Sequence, residues 1–215
     1  MTTFDPVSLM IALALLALVP TLIIVSTCFL KIAVVMFLVR NAVGVQQIPP
    51  NLALYGLALI LSAYIMAPVG QNIYQKVTTT PSATQSVQGL VTTVGAASEP
   101  MRDFLYKHSQ RRHRDFFVRT AQDLWGPELS AQITDRDFIV VLPAFMISEL
   151  SQAFEIGFLL FLPFVVIDIV VSNILLAMGM MMVSPTMISM PLKLFLFVML
   201  DGWTKLIQGL VLTYQ

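Results

Sequence analysis

The sequence predicts an all-α protein whose long, kinked helices lie in a membrane complex. Apolar residues make up 57% of the chain and charged residues only 11%, whereas soluble domains carry about 25% charged residues. Residues 7–30 and 52–75 contain no charge at all, and apolar runs of about 18 or more residues are typical of membrane helices. No stretch alternates apolar and polar residues as a strand does. We therefore expect an integral membrane or membrane-complex protein.

The N-terminal segment, residues 1–75, is predicted to form a helical hairpin of two apolar blocks. The first block, residues 7–38, is too long for one straight crossing of a hydrocarbon core about 30 Å thick, so we expect a kink near Pro20. A polar connector of sequence RNAVGVQQIPPN ends at Asn51, the expected N-cap of the second block. Since no basic region and cleavage site precede the first block, we expect no removed signal peptide.

Residues 76–137 are predicted to form a water-facing helical insert. They contain eight of the twelve Lys and Arg residues and seven of the twelve Asp and Glu residues. Their first part, 76–98, is rich in Ser, Thr and Gly and is expected to be a loose linker. Two short helices should follow, ending near Gly126-Pro127 and docking on an apolar surface. The apolar residues that define the two helical faces are Met101, Phe104 and Leu105, and Phe117, Ala121 and Leu124.

The C-terminal segment, residues 138–215, is expected to form helical hairpins. Its first block, 138–183, is about twice the length of a simple span. The residues expected to bend this block into a hairpin are Pro143, Gly157 and Pro163. The sequence SPTMISMP then interrupts the chain between two prolines, and a last apolar block runs from Leu192 to Leu212.

Several ionisable residues lie inside these apolar blocks, where they are expensive and by default face a bundle interior, a partner or a water path. Gln152 and Glu155 share a stripe with Ser148, since helical geometry places the three within about 60° of one another. Asp201 precedes Lys205 by four residues, the favourable order for a helical ion pair. Such residues either form internal ion pairs and hydrogen bonds or face neighbouring subunits that supply partners in trans, which we favour. The residues expected at subunit contacts are Lys31, Glu149, Gln152, Glu155, Asp168, Lys193, Asp201 and Lys205.

Nothing in the sequence predicts catalysis, a cofactor or a metal site. Phosphate-loop, nucleophile-elbow and metalloprotease motifs do not occur. Twelve basic residues balance twelve acidic ones, so no bulk charge points to nucleic acid. His108 and His113 are five residues apart, which directs them away from each other on a helix, so a solvated basic face is favoured over a metal pair. The single cysteine, Cys28, is expected to be a packing residue.

Three stretches together resemble the FliP/SctR family, the export-gate membrane proteins of flagellar and virulence type III secretion systems. The most specific is PAFMISELSQAFEIGF, residues 143–158. The second is RNAVGVQQIPPN, and the third is PFVVIDIVVSNILLAMGMMMVSP running into PLKLFLFVMLDGW; PMRDFLYKHSQ is similar as well. The short 76–98 linker and the missing signal peptide are more similar to the virulence-type branch, SctR, than to the flagellar branch.

The resemblance implies a function that composition and spacing do not. In the family, about five copies assemble into a ring or spiral that is completed by FliQ/SctS-like and FliR/SctT-like membrane subunits, next to an FlhA/SctV-like gate protein. The assembly forms the pore by which unfolded secreted proteins cross the bacterial inner membrane. The resemblance also places residues 76–137 in the periplasm. Their Lys and Arg content would favour the cytoplasm, but that rule weakens for a long segment with a net charge of only +1, eight basic minus seven acidic residues.

Four of the thirteen methionines lie within five positions, in the sequence LLAMGMMMVSP. Filling an irregular core is the simpler interpretation, but consecutive methionines point all round a helix, and Gly179 and Pro185 disfavour a long regular helix here. A loop that projects into a shared channel agrees better with the resemblance. Methionine is unbranched, flexible and polarizable, so these side chains would form a deformable apolar gasket. The gasket residues are Met178, Met180, Met181 and Met182.

The function we expect is therefore that of a non-enzymatic, pore-forming subunit of a protein-export apparatus, in contact with membrane lipid. A small-solute or ion-coupled secondary transporter is the main alternative, in which the embedded acids would be coupling sites; the inverted repeat that would favour it is not evident. A purely structural membrane scaffold is the third possibility.

Overall fold

The computed structural model describes residues 6–45, 47–79 and 87–215, and these residues are all-α, as the sequence predicts. The helices in this part of the chain are α1 Pro6–Ser26, α2 Phe29–Val43, α3 Asn51–Thr79, α4 Val87–His108, α5 Arg111–Ser130, α6 Phe138–Ala177, α7 Pro185–Met199 and α8 Gly202–Leu212. By length and composition α3 and α6 are able to cross a membrane. The number of spans rises to four if the end of α1 with α2, and α7 with α8, each count as one broken span.

The described residues group into two compact units. One consists of residues up to Leu30 and Val69–Met146, and the other of Lys31–Pro68 and Ile147–Gln215. The boundaries fall inside α2, α3 and α6 and cut across the three segments expected from the sequence. The independence of those segments as domains stays a prediction.

The first apolar block is interrupted, but the interruption follows Ser26 and does not occur at Pro20, through which α1 continues. Side-chain hydroxyls explain its position. The Ser26 hydroxyl donates to the Leu22 carbonyl at 2.6 Å, and Thr27 Oγ1 accepts from the Phe29 backbone N–H at 3.4 Å. Such local bonds offer the backbone an alternative to continuing the helix.

The connector between α2 and α3 is fastened by Arg40. Its Nη1 donates to the Pro49 carbonyl at 3.2 Å and to Asn51 Oδ1 at 2.6 Å. The helix α3 includes Asn51, which was expected to be its N-cap, and continues to Thr79. The first helical hydrogen bond runs from the Leu54 N–H to the Pro50 carbonyl. The Arg40 contacts therefore fix the start of α3.

The insert is more helical than the sequence suggests. Residues 76–79 complete α3, residues 80–86 lie outside the described residues, and residues 87–98 belong to α4, so the linker prediction is wrong for most of its length. Apolar residues recur at helical spacing from Val87 to Val94, and this pattern outweighs the poor helix propensity of Ser, Thr and Gly. The second helix was predicted to end near Gly126-Pro127; α5 instead kinks at Gly126, whose φ of 76° is not helical, and continues to Ser130.

The first predicted face of the insert is confirmed and the second only in part. Leu105 packs with Val141 and Phe145, and Met101 and Phe104 cover that cluster. The apolar surface on which α4 docks is thus the start of α6. On α5, Ala121 is buried, but Leu124 is 73% exposed.

The predicted hairpin in the third apolar block is wrong, because residues Phe138–Ala177 form one helix of 40 residues. At 1.5 Å per residue this helix is about 60 Å long, twice the thickness of a hydrocarbon core. A proline removes one hydrogen bond, which bends a helix without reversing it. Gly157 likewise does not turn the chain; a Cβ atom at this position would overlap the Leu38 side chain of α2, so the glycine permits close packing.

Gly157→Val is expected to lower the stability of the chain by about 2 kcal/mol, because the added methyl groups displace Leu38 from a packed contact. The measurement is thermal unfolding of the purified full-length protein in detergent. Gly56→Val on α3 is the matched control, since a Cβ atom there meets nothing within 4 Å. Equal melting temperatures for the two variants would contradict the close contact.

The last apolar block is two helices, α7 and α8, bent by 61°. The bend lies at Asp201, which has left-handed backbone dihedrals (φ 53°, ψ 47°). Asp adopts this region more readily than most residues. Gly202 follows directly and lies against the Phe197 ring, where a Cβ atom would collide. Phe197 also makes an edge-to-face contact with Trp203, 5.4 Å between centroids, which helps to fix the bend.

Candidate functional site

A buried ion pair joins α2 to α6. Lys31 Nζ lies 3.2 Å from Glu149 Oε1, and both side chains are only 1% exposed. The same ammonium donates to Gln152 Oε1 at 3.1 Å. Tyr214 completes the cluster: its hydroxyl donates to Glu149 Oε2, and its ring centroid lies 3.8 Å from Lys31 Nζ. These four residues, the Lys31 cluster, neutralise one buried positive and one buried negative charge within the chain.

A second ion pair joins α6 to α7. Asp168 Oδ2 accepts from Lys193 Nζ at 2.6 Å, and Asp168 Oδ1 accepts from the Ser189 hydroxyl at 2.7 Å. Lys193 and Ser189 are buried, while the Asp168 side chain is 39% exposed. Both carboxylate oxygens are therefore used to hold the two helices together.

Five of the eight residues expected at subunit contacts form ion pairs or hydrogen bonds within the chain. The residues with partners inside the chain are Lys31, Glu149, Gln152, Asp168 and Lys193. The charges of Lys31, Glu149, Asp168 and Lys193 are thus paired within the chain, as the internal alternative describes. Whether their outer surfaces also touch neighbouring subunits stays a prediction.

The predicted helical ion pair between Asp201 and Lys205 is wrong. Asp201 lies outside α8 as its N-cap, and its carboxylate accepts from the Thr204 hydroxyl at 3.0 Å. The spacing rule for ion pairs applies only when both residues are helical, and the left-handed backbone of Asp201 removes that condition. Lys205 on α8 and Glu155 on α6 are both exposed.

The methionine cluster lies on a tight loop, as the sequence predicts. α6 ends in a Schellman motif: the Gly179 N–H donates to the Leu176 carbonyl and the Met180 N–H to the Leu175 carbonyl, with Gly179 at φ 73°. Ser184 and Pro185 then begin α7. The loop between α6 and α7 has too few residues to cover its own side chains. Exposure is high throughout: Met178 64%, Met180 45%, Met181 82% and Met182 101%.

The Asp168 ion pair braces this loop. Asp168 precedes the end of α6 by nine residues, and Lys193 follows the start of α7 by eight. At 1.5 Å per residue, each lies about 12–14 Å from the loop along its helix. The hairpin that carries the methionines is thus clamped near its base.

The two histidines of the insert have different surroundings. The His108 ring packs on Phe104, with centroids 4.7 Å apart. Partial burial, and then the neighbouring Arg112 guanidinium, lowers the pKa of His113 below its ordinary value. No group of three or more His, Cys, Asp or Glu residues suited to a metal ion occurs among the described residues.

Sequence reasoning missed Tyr214 and Ser189 as members of these clusters. Tyr214 does continue a helical spacing of four from Leu206 and Leu210, and all three are buried. This spacing signals a packed face, but it does not identify Glu149, 65 residues away, as the hydrogen-bond partner. Ser189 lies in the sequence SPTMISMP, which was interpreted only as an interruption between two apolar blocks.

The chain is similar to known proteins along nearly its whole length. The sequence model of the FliP family matches residues 12–210. The chain is 50% identical over 210 residues to the Yop proteins translocation protein R of Yersinia pestis, covering 98% of this chain and 97% of that protein. It is 46% identical over 210 residues to the hypersensitivity response secretion protein HrcR of Ralstonia nicotianae, covering 97% of each chain. The virulence protein YscR of Salmonella typhimurium is 41% identical over 216 residues, with 98% of each covered.

Proposed function

This chain belongs to the FliP family, in its virulence-type SctR branch, and is a membrane component of a type III secretion apparatus; from that premise we propose that it is a pore-forming core subunit of the export gate. In this proposal unfolded secreted proteins pass through a channel built from several copies of the chain. The four loop methionines close the channel when no substrate is present.

The exposure of the methionine loop is the observation that carries the proposal. Met182 is completely exposed and Met181 almost so, which is costly for apolar side chains unless something covers them. A ring of such loops around a shared axis would cover them with one another. A hydrophobic constriction excludes water and ions by dewetting, and flexible thioethers repack around a passing polypeptide of any sequence.

The proposed setting is the bacterial inner membrane, with about five copies arranged together with FliQ/SctS-like and FliR/SctT-like subunits beside an FlhA/SctV-like gate protein. The insert that follows α3 and precedes α6 would lie in the periplasm. Both flanking helices are long and apolar enough to span, so the two ends of the insert would emerge on the same side. Most charges embedded in the apolar helices are paired within the chain, so in this proposal they would add little net charge to the wall of the pore.

The mass of the detergent-purified complex tests the pore proposal. The expected result is a particle that contains several copies of this chain together with other membrane subunits. A monomer or simple dimer that is active in solute uptake would instead favour a secondary transporter and would refute the proposal.

Replacing Met180, Met181 and Met182 with alanine is expected to make cells leak ions and small solutes while the complex still assembles, because a shorter side chain leaves the constriction wide enough to hydrate. Uptake of a small dye and the resting membrane potential are the measurements. The matched control is the double change of Met187 and Met199 to alanine, since both are exposed methionines outside the loop. An assembled triple variant that remains sealed would contradict the gasket.

A further inference from the structure

Glu155 on α6 and Lys205 on α8 are embedded charges without an ion-pair partner in the described part of the chain. Both are exposed and both lie in apolar helices. An exposed charge on such a helix is stable only if it faces water, a headgroup or an opposite charge on another protein. The two are of opposite sign, and each copy of the chain carries one of each.

Lys205 lies on an apolar groove of about 420 Å³ in the second unit, here called the Lys205 groove. Its α7–α8 wall includes Leu196, Leu200, Lys205 and Leu206, and its α6 wall includes Leu160 and Phe164. A Cβ atom at Gly209 would meet nothing within 4 Å, so the floor of the groove is open at this point. Lys205 provides a positive charge within it.

Glu155 lies on an exposed apolar ridge of α6, here called the Glu155 ridge. Its other members are Leu159, Leu162 and Val166, which are 60%, 43% and 57% exposed. The spacing of four, three and four residues places all of them on one face of the helix, within about 60°. Leucine and valine side chains on this face have the shape and polarity that an apolar groove accommodates.

We propose that the Glu155 ridge of one copy occupies the Lys205 groove of the next copy, with Glu155 and Lys205 forming an ion pair between them. The inference rests on the proposed function in that it requires several copies in one assembly. The ridge and the groove are different surfaces, so the contact is heterologous and continues from copy to copy, as a ring or spiral requires. Charge complementarity favours a second copy over a phospholipid, because a phosphate would neutralise Lys205 and leave Glu155 unpaired.

Charge reversal tests the pairing in the intact complex. Glu155→Lys and Lys205→Glu are each expected to lower the amount of multi-copy complex by about tenfold or more, because each variant places like charges in contact. The double variant E155K/K205E restores the pair with opposite polarity and should recover the complex to within about twofold of wild type. Glu128→Lys is the control, since Glu128 is an exposed acid on the insert and its reversal should leave the amount unchanged.

A cross-link supplies evidence that does not depend on the stability of the variants. Cys28 is the only cysteine and is buried, so Cys28→Ala provides a background without thiols. Adding Glu155→Cys and Lys205→Cys together should give an oxidised ladder of dimers and larger species, and either change alone should not.

Failure of the pairing and failure of the proposed function give different results. A wild-type complex that contains several copies, but shows neither rescue by the double reversal nor a ladder, overturns the pairing and leaves the pore proposal standing. Cross-linking of Lys205→Cys to another subunit, without rescue, also overturns the pairing. A wild-type protein that never contains several copies overturns both.

Discussion

Glu149→Ala is expected to remove nearly all of the assembled complex from the membrane. The change leaves the Lys31 ammonium, only 1% exposed, without its carboxylate, and it leaves the Tyr214 hydroxyl without its acceptor. Breaking a buried ion pair from one side costs about 3–5 kcal/mol. That is a large fraction of the roughly 5–15 kcal/mol that separates a folded domain from its unfolded state.

Thermal unfolding of the full-length protein and its co-purification with other membrane subunits measure this effect. Glu128→Ala is the matched control, because it removes an exposed acid of the insert and should leave both the melting temperature and the co-purification unchanged. The combined variant Lys31→Met, Glu149→Leu and Tyr214→Phe removes both charges and the orphaned hydroxyl. It should regain most of the lost stability, since no charge is then left buried and unpaired. A Glu149→Ala protein that melts and assembles like wild type would show that the pair contributes little.

The sequence was sufficient to predict the fold class, the first apolar face of α4 and the methionine loop, because each depends on local signals. Long charge-free runs indicate membrane helices, and the methionine loop follows from Gly179 and Pro185, whose backbone preferences end one helix and begin the next. The first face of α4 follows from helical spacing alone. Each of these features is decided by residues a few positions apart.

The errors arose where packing between distant residues overrides a local signal. Gly157 and Pro163 suggest a turn, but the apolar residues around them continue one helix, and Gly157 is explained only by Leu38, which lies on another helix. The spacing of Asp201 and Lys205 suggests a helical pair, but the contact of Phe197 with Gly202 places a bend between α7 and α8. Lys31 and Glu149 are 118 residues apart, and no spacing rule predicts which acid such a lysine meets.

Asp168→Ala is expected to destabilise the hairpin of α6 and α7 by about 2–3 kcal/mol, and to make assembled complexes leak. The change leaves Lys193, whose side chain is 9% exposed, without its ion-pair partner, and it removes the acceptor of the buried Ser189 hydroxyl. The lower figure of the range reflects the exposure of Asp168, which lets water screen part of the interaction. Melting temperature and dye uptake are the two measurements.

The leak follows from the position of the brace. The methionine loop has few contacts of its own, so its position depends on the two helices that carry it, and Asp168 is the residue whose carboxylate joins them. Replacing Asp168 and Lys193 together by leucine removes both charges and supplies apolar contact between α6 and α7. This double variant should therefore restore both the melting temperature and the seal. If Asp168→Ala lowers the melting temperature but the assembled pore stays closed, the loop is held by neighbouring copies and not by its own hairpin. If the double variant regains stability and still leaks, the seal depends on the exact geometry of the ion pair, which apolar contact does not reproduce.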